Sequence, residues 1–395
     1  MPTKILDIAI EETVRGWTGL AGYDAALFLV RHGTRPIGKV TVPVVDGAIL
    51  PGRVRGAITA RMIDALAASM SEAELQAGRA KVILPSATVA ICTRERPVDL
   101  HRALTALVAL DDLGQTVLVI DNCPRTDATR TVTAGFPGVR YICEPQKGLN
   151  NARNRALAEA EGEIVAFIDD DAVADAGWLA ALVAPFADAR VDCVTGLTMP
   201  LELETPAQEL FESMSGFSRR GFSPRVFQAP RTGPLDTGQI GAGANMAVRR
   251  DLLARIGPFD PALDAGTETQ SGGDHEYFTR ILRGGGRIVY QPAALNWHRH
   301  RRSHAELVSA IGGYGTGVYA AWTRSFLSER EWGVFRRAFG WFIHDQLPTL
   351  IRSYRRPATT LPREVLWAEL KGCAKGPGAY LRARAKAREA GHGQS

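Results

Sequence analysis

The stretch Ile164-Val165-Ala166-Phe167-Ile168-Asp169-Asp170-Asp171, with Gly162-Glu163 before it and Ala172 to Trp178 after it, decides how the chain reads. Ile164 to Ile168 is a short apolar run with β-branched residues, the pattern of a buried strand. It stops in three adjacent carboxylates. Like charges at the end of a buried strand cost free energy unless something positive sits on them. A hard divalent cation shared with phosphate oxygens answers that cost, because Mg²⁺ and Mn²⁺ take one or two carboxylates plus substrate phosphates. The competing reading is an idle, solvated acidic turn. The neighbouring sequence has to separate the two.

Upstream, apolar runs alternate with helical patterns. Strands are expected over Ala87 to Cys92, Thr116 to Ile120 and Val139 to Cys143. Between them, Leu100, Leu104, Leu107 and Leu110 share one helix face, a second helix opens near Thr126-Asp127, and a third covers Ala152 to Ala160. This spacing predicts an α/β unit with a mostly parallel sheet. Ligands of such sheets lie beyond the carboxyl ends of the strands. Thr93/Arg94, Asp121/Asn122, Lys147/Gly148 and Asp169 to Asp171 all fall there. No G-x-G-x-x-G follows the first strand, so a dinucleotide fingerprint is missing. Gly241-Ala-Gly-Ala-Asn-Met and Gly312-Gly-Tyr-Gly-Thr-Gly are weak phosphate signals only.

The 395 residues suffice for two or three domains, and 45% hydrophobic with 23% charged residues is an ordinary globular composition. Five cysteines without C-x-x-C spacing argue against a zinc site or disulfide framework and for a reducing compartment. Asp7, Glu11 and Glu12 interrupt any signal-peptide core, and no apolar run is long enough to span a bilayer. Ala25 to Arg31, the turn residues His32 to Gly38, and Lys39 to Val45 predict a β-hairpin, followed by a helix over Ile58 to Met70. Arg31-His32-Gly33-Thr34-Arg35 looks like a histidine-phosphatase motif, with His344-Asp345 as a distant partner. The proline stands one residue off, and a hairpin turn explains the stretch.

Several pieces stand in a telling order. They are Cys-Thr-Arg-Glu-Arg-Pro97, Val-Leu-Val-Ile-Asp121-Asn-Cys, Gly148-Leu-Asn-Asn-Ala-Arg-Asn-Arg, Phe-Ile-Asp-Asp-Asp171, Gly241-Ala-Gly-Ala-Asn245-Met, Gly-Pro-Phe-Asp-Pro261 and Gly-Gly-Asp274-His-Glu276. Over Thr88 to Arg301 the chain resembles family 2 of the glycosyltransferases. The resemblance implies an α/β fold of the GT-A type, a Rossmann-like nucleotide-diphospho-sugar transferase core over 86–305. A small α+β accessory unit (1–85) would precede it, and a helical basic extension (306–395) would follow.

It also implies roles. Thr93, Arg94 and Asp121 would line the nucleotide pocket, and Lys147, Gly148 and Arg153 would approach the ribose or diphosphate. Asp169 and Asp171 would hold a divalent cation, Mn²⁺ or Mg²⁺, with His298, just beyond a strand expected over Ile288 to Gln291, as a third ligand and Asp170 facing the ribose or sugar. Asp274 would be the general base of an inverting displacement, with Glu276 as the alternative, although Gly273 stands where the family carries a glutamate. The other reading of Asp274 is a helix N-cap, and the Gly272-Gly273 pair before it suggests close approach of a ligand or a neighbouring segment. Gly243 and Asn245 would meet the acceptor. Met214 to Gln239 reads as a loop that closes over the donor. Trp178 and Trp297 are either sugar platforms or core residues.

The expected donor is a nucleoside-diphosphate sugar, a UDP-sugar foremost. The acceptor would be a glycan, a lipid-linked group or a small molecule, as in cell-surface glycan, glycolipid or secondary-metabolite glycosylation. No nucleic acid is expected. The expected compartment is the cytoplasm. In the basic C-terminal region Trp332, Phe335 and Phe339 form one apolar stripe, which either packs against the catalytic domain or gives peripheral contact to the inner membrane face. Two other classes stay open. One is a nucleotidyltransferase that makes a sugar nucleotide, although Thr93 to Pro97 lacks its glycines. The other is a non-catalytic sugar-nucleotide or glycan-binding module.

Overall fold

The computed structural model describes residues 2–77, 83–215, 217–355 and 361–392. Gly216 of the expected loop and Arg356 of the basic tail lie outside the described residues. Strand β1 (Thr3–Ala9) runs parallel to β2 (Ala25–His32), which forms an antiparallel hairpin with β3 (Arg35–Pro43). The hairpin falls where the alternation placed it. Its turn is shorter than expected, because Gly33 at φ 59° reverses the chain within two residues. His32 Nδ1 lies 3.0 Å from the Ser69 hydroxyl. Ser69 belongs to the helix Ala60–Ala77, which runs past the predicted Met70. His344 lies elsewhere, beside Leu235 and Trp341.

The main sheet uses β4 (Ala87–Thr93), β5 (Thr116–Asn122), β6 (Val139–Glu144), β7 (Ile164–Asp169), β8 (Ala172–Ala174), β9 (Val191–Pro200), β10 (Arg225–Phe227), β11 (Asn245–Arg249) and β12 (Arg287–His298). Its order is β10-β12-β9-β11-β7-β4-β5-β6, with β8 on β12. The strands β7-β4-β5-β6 are parallel, as are β9 and β12, and β11 runs antiparallel between the two blocks. Helices Pro97–Val108, Ala128–Ala134 and Leu149–Glu159 follow β4, β5 and β6, as the periodicity requires. Each face of the sheet buries its own apolar layer. One contains Phe167, Phe259 and Tyr277, and the other Ile91, Leu104, Ile168 and Trp178.

Two local expectations change. β12 extends to His298 instead of ending at Gln291, with an irregularity between Gln291 and Leu295 around Pro292. Met214 to Gln239 is no unpaired loop: β10 pairs with β12, and Phe217–Arg220 and Thr237–Gln239 are 3₁₀ turns. The hairpin sheet packs on the main core through Leu27 and Leu29. Arg31 pairs with Asp175 at 2.6 Å, and Lys39 with Glu212 at 2.5 Å.

Beyond the sheet, His304–Glu329 starts with a Ser303 capping box whose partner is Glu306. It lies along Arg363–His392. Gly312-Gly-Tyr-Gly-Thr-Gly is therefore helical rather than a phosphate loop. A side chain on Gly372 would clash with the Gly312 carbonyl, and one on Gly376 with Tyr319 and Thr316. The glycines let two helix backbones approach closely. A side chain on Gly272 would likewise meet the backbone of Gly317, and one on Gly273 would meet Asn150 and Asp264. Neighbouring chain segments suffice to account for the Gly272-Gly273 pair.

Candidate active site

The carboxyl ends of β4, β5 and β7 meet in register: Cys92 is opposite Asp169, and Thr93 opposite Asp121. β7 ends at Asp169, Asp170 and Asp171 turn, and β8 pairs with β12 so that Ala172 faces His298. That pairing sets His298 Nε2 3.0 Å from Asp171 Oδ1 and 3.8 Å from Asp169 Oδ2. Ligand atoms of Asp169, Asp171 and His298 all lie within 4.8 Å of one another. They border a cavity of about 320 Å³, shared with Thr93, Arg94, Arg96, Asn122, Gly266 and Arg301.

Charge explains why three adjacent carboxylates are tolerated here. Arg96 donates through one nitrogen to Asp170 at 3.0 Å and Asp171 at 3.1 Å, and Arg301 stands 3.7 Å from Asp171. Thr93 donates to the other Asp170 oxygen at 2.7 Å. Burial still pushes the Asp170 carboxyl up to about 6, against the pull of Arg96. For Asp171, burial is outweighed by His298, Arg96 and Arg301, which hold the carboxyl below its usual range. His298 responds inversely. Burial opposes its charge, but Asp171 and Asp169 drive the imidazolium up to about 10.

Deeper in, Arg153 pairs with Asp264 at 2.7 Å and donates to Asn150 at 3.1 Å. Burial works against this cation, while Asp264, Asp169 and Asp274 more than restore it. Arg153 therefore lies in the field of both the Asp cluster and Asp274. Asp274 sits in the first turn of the helix Gly273–Arg283, accepting from the Gly243 N–H at 2.9 Å and its neighbour His275 N–H at 2.8 Å. The N-cap is Gly272. Burial raises the Asp274 carboxyl, but His275, Arg153 and these N–H groups outweigh it and keep the group ionised. Gly243 is close by, with no room for a side chain beside Arg153.

Asp121 is buried. The Tyr141 hydroxyl donates to its Oδ2 at 2.9 Å, while Oδ1 finds no hydrogen-bond partner among the described residues. Gly148, at φ 135°, donates to Asn122 Oδ1 at 2.9 Å at the start of Leu149–Glu159, and the exposed Lys147 lies beside Gly266. Arg94 reaches the Cys123 carbonyl at 3.3 Å.

Two assignments need correction, and one open alternative closes. Asn245 does not meet an acceptor. It is fully buried, its amide donates to the Leu197 and Ala294 carbonyls at 2.9 Å each, and its oxygen accepts from Trp178 Nε1 at 2.9 Å. The same bond fixes Trp178 as a core residue, 0% exposed. Glu276 is no general base either. It is 1% exposed and held by Arg280 at 2.6 Å and Arg324 at 3.0 Å. Arg96 and Asp264 are the residues that sequence reasoning missed. Arg96 had a signal, since it immediately precedes the helix-initiating Pro97 at a strand end. Asp264 lay in an irregular segment without one.

Residues 88–257 match the family described as glycosyl transferase family 2. The pre-mycofactocin glycosyltransferase of Mycobacterium tuberculosis is 28% identical over 286 residues, which is 69% of this chain and 55% of that one. The succinoglycan biosynthesis protein ExoM of Rhizobium meliloti is 26% identical over 223 residues, covering 52% and 64% of the two chains. The chain thus spans 55% of the length of the first relative and 64% of the second. Among solved structures, the mannosyltransferase PcManGT from Pyrobaculum calidifontis, in complex with GDP-Man and Mn²⁺, superimposes with a TM-score of 0.49 at 19% identity, covering 82% of this chain and 94% of that one. The parallel block ending in Asp169 to Asp171 and the family match over residues 88–257 agree with the α/β core expected from the sequence.

Proposed function

Because residues 88–257 match glycosyl transferase family 2, we propose that the chain is a metal-dependent, inverting glycosyltransferase that moves a sugar from a nucleoside-diphosphate donor to an acceptor hydroxyl. The observation that carries this reading is the convergence of Asp169, Asp171 and His298, within the field of Arg153, which also feels Asp274. Two carboxylates and an imidazole nitrogen suit Mn²⁺ or Mg²⁺. A bound cation supplies charge to the leaving diphosphate.

The chain's own residues do the rest. The unpartnered Asp121 Oδ1 accepts from the nucleobase, uracil being the expected one, and Thr93 and Arg94 flank that pocket. Arg96 and Arg301, which border the same cavity, would meet the diphosphate as forked guanidinium donors do. Lys147 and Gly148 border the same cleft from the Leu149–Glu159 helix start, where backbone N–H groups favour anions. Asp274, held ionised, removes the acceptor proton as the oxygen attacks the anomeric carbon. Attack from the face opposite the diphosphate inverts that carbon. Acceptors with a free hydroxyl on a glycan, a lipid-linked group or a small molecule fit this chemistry, and the five free cysteines suit the cytoplasm.

A panel of UDP- and GDP-sugars with and without Mn²⁺, read by thermal stabilisation and by donor hydrolysis, tests the reading. One donor should raise the melting temperature only with the cation and be hydrolysed slowly. Stabilisation without hydrolysis or transfer to any acceptor would favour a binding module instead.

A further inference from the structure

Trp332, Phe335, Phe339 and Phe342 are 65%, 55%, 68% and 38% exposed. Trp332 is the N-cap residue of Gly333–Trp341, Phe342 follows that helix directly, and the spacing puts all four rings on one stripe. Phe326, from the end of His304–Glu329, supports them from below, with ring centroids 4.9 Å from Trp332 and 5.1 Å from Phe335. Ile351 and Tyr354 continue the exposed apolar surface on Leu347–Arg355, at 43% and 56%. A contiguous patch of this kind on a folded domain marks an interaction surface.

Charge identifies the partner. Between Arg330 and Arg355 the chain carries five arginines and two acids, Glu331 and Asp345. Glu331 is committed to Arg283 at 3.1 Å, and Arg337 to Asp236 at 3.2 Å. Arg330, Arg336, Arg352 and Arg355 form no ion pair among the described residues. Beside the rings lies a cavity of about 480 Å³ whose lining is of mixed charge, with Arg336, Arg337 and His344 facing Asp236, Glu331 and Asp345, so the cationic surface is carried by the exposed arginines and not by this cavity. Exposed rings between unpaired arginines are the composition of a helix lying in a bilayer interface. No described helix is long and apolar enough to cross a membrane.

We propose that this face docks the chain onto the surface of an anionic lipid bilayer, rings inserted and arginines on the headgroups. The face is also wired to the candidate site. Arg337 holds Asp236, and the next residue, Thr237, places its hydroxyl 2.8 Å from His275 Nδ1, directly after Asp274. On the glycosyltransferase reading, docking sets the acceptor side of the cleft beside the lipid surface. The docking itself needs no donor and stands independently of that reading.

Co-sedimentation of the full chain with vesicles of phosphatidylcholine alone, and of phosphatidylcholine with phosphatidylglycerol, decides the matter. Binding should require phosphatidylglycerol and weaken with added salt. Phe335→Ser or Phe339→Ser should each weaken it by roughly tenfold or more. Arg336→Glu with Arg355→Glu should weaken it at least as much. All four positions are exposed, so the variants should keep the parent melting temperature and donor hydrolysis. Failure to sediment with either vesicle overturns the proposal, as does binding indifferent to the ring substitutions. A concentration-dependent dimer dissolved by Phe339→Ser, without vesicle binding, would give the face to a second copy instead.

Discussion

The Asp274 carboxylate accepts a hydrogen bond from the Gly243 N–H at 2.9 Å, tying the start of the helix Gly273–Arg283 to the segment that leads into β11. This bond orients one Asp274 oxygen, and His275 N–H holds the other. Asp274→Asn keeps the shape but removes the proton acceptor. Transfer should fall by about 10²–10⁴-fold, with Mn²⁺ affinity nearly unchanged. Isothermal titration beside a transfer assay separates the two; retained transfer would remove Asp274 from the chemistry.

Asp171 and His298 meet at 3.0 Å, both buried, whereas the Asp169 side chain is 35% exposed. Asp171→Asn and His298→Ala should each lower Mn²⁺ affinity by about tenfold or more. The two differ in a second readout. Asp171→Asn leaves Arg96 and His298 without their shared carboxylate and should also lower the melting temperature of the metal-free protein. Unaltered Mn²⁺ binding in both variants would count against the ligand assignment.

His298 predicts a pH dependence. Its folded pKa, about 10, lies above the ordinary 6.5, so its interaction with Asp171 stabilises the fold fully below about pH 6.5. That contribution is lost as pH rises towards 10. Asp171, held low, contributes above the ordinary 3.8 and loses its contribution in acid. With a chelator present, the melting temperature should therefore decline between these upper limits, and His298→Ala should flatten the decline. Mn²⁺ should restore stability most at the alkaline end, where the imidazole is free to ligate.

Asn245 closes three buried hydrogen bonds at once, to Leu197, Ala294 and Trp178. Asn245→Ala strands two carbonyls and an indole N–H, and should cost about 3 kcal/mol in chemical denaturation. Its acceptor KM should stay near the parent value wherever the variant is folded. A large KM effect with unchanged stability would return Asn245 to the acceptor site.

What the sequence made legible follows from range. Helix and strand periodicity is local, so β4 to β7, their helices and the hairpin were readable, and with them Asp169 and Asp171 at a strand end. The partners of Asn245 lie about 50 residues away in both directions, where no local pattern reports them. Glu276 was avoidable: Arg280 stands four residues later, the spacing of a helix ion pair. His298 was expected beyond a strand and is instead its last residue, because β12 continues past the irregularity at Pro292. Gly243 was singled out for an acceptor; the structure places it against Arg153 and Asp274.

The glycine contacts Gly312–Gly372 and Gly272–Gly317 bind two long helices to each other and one of them to the start of the Asp274 helix, with no spare methyl group's width between backbones. Interfaces so close-packed lose their contacts together, since a small separation already forfeits much of the attraction. The C-terminal helices are therefore part of one cooperative unit with the main sheet and its helices. On heating they should not peel away ahead of it, and a truncation before Arg363 should melt the whole domain at a lower temperature instead of trimming an appendage.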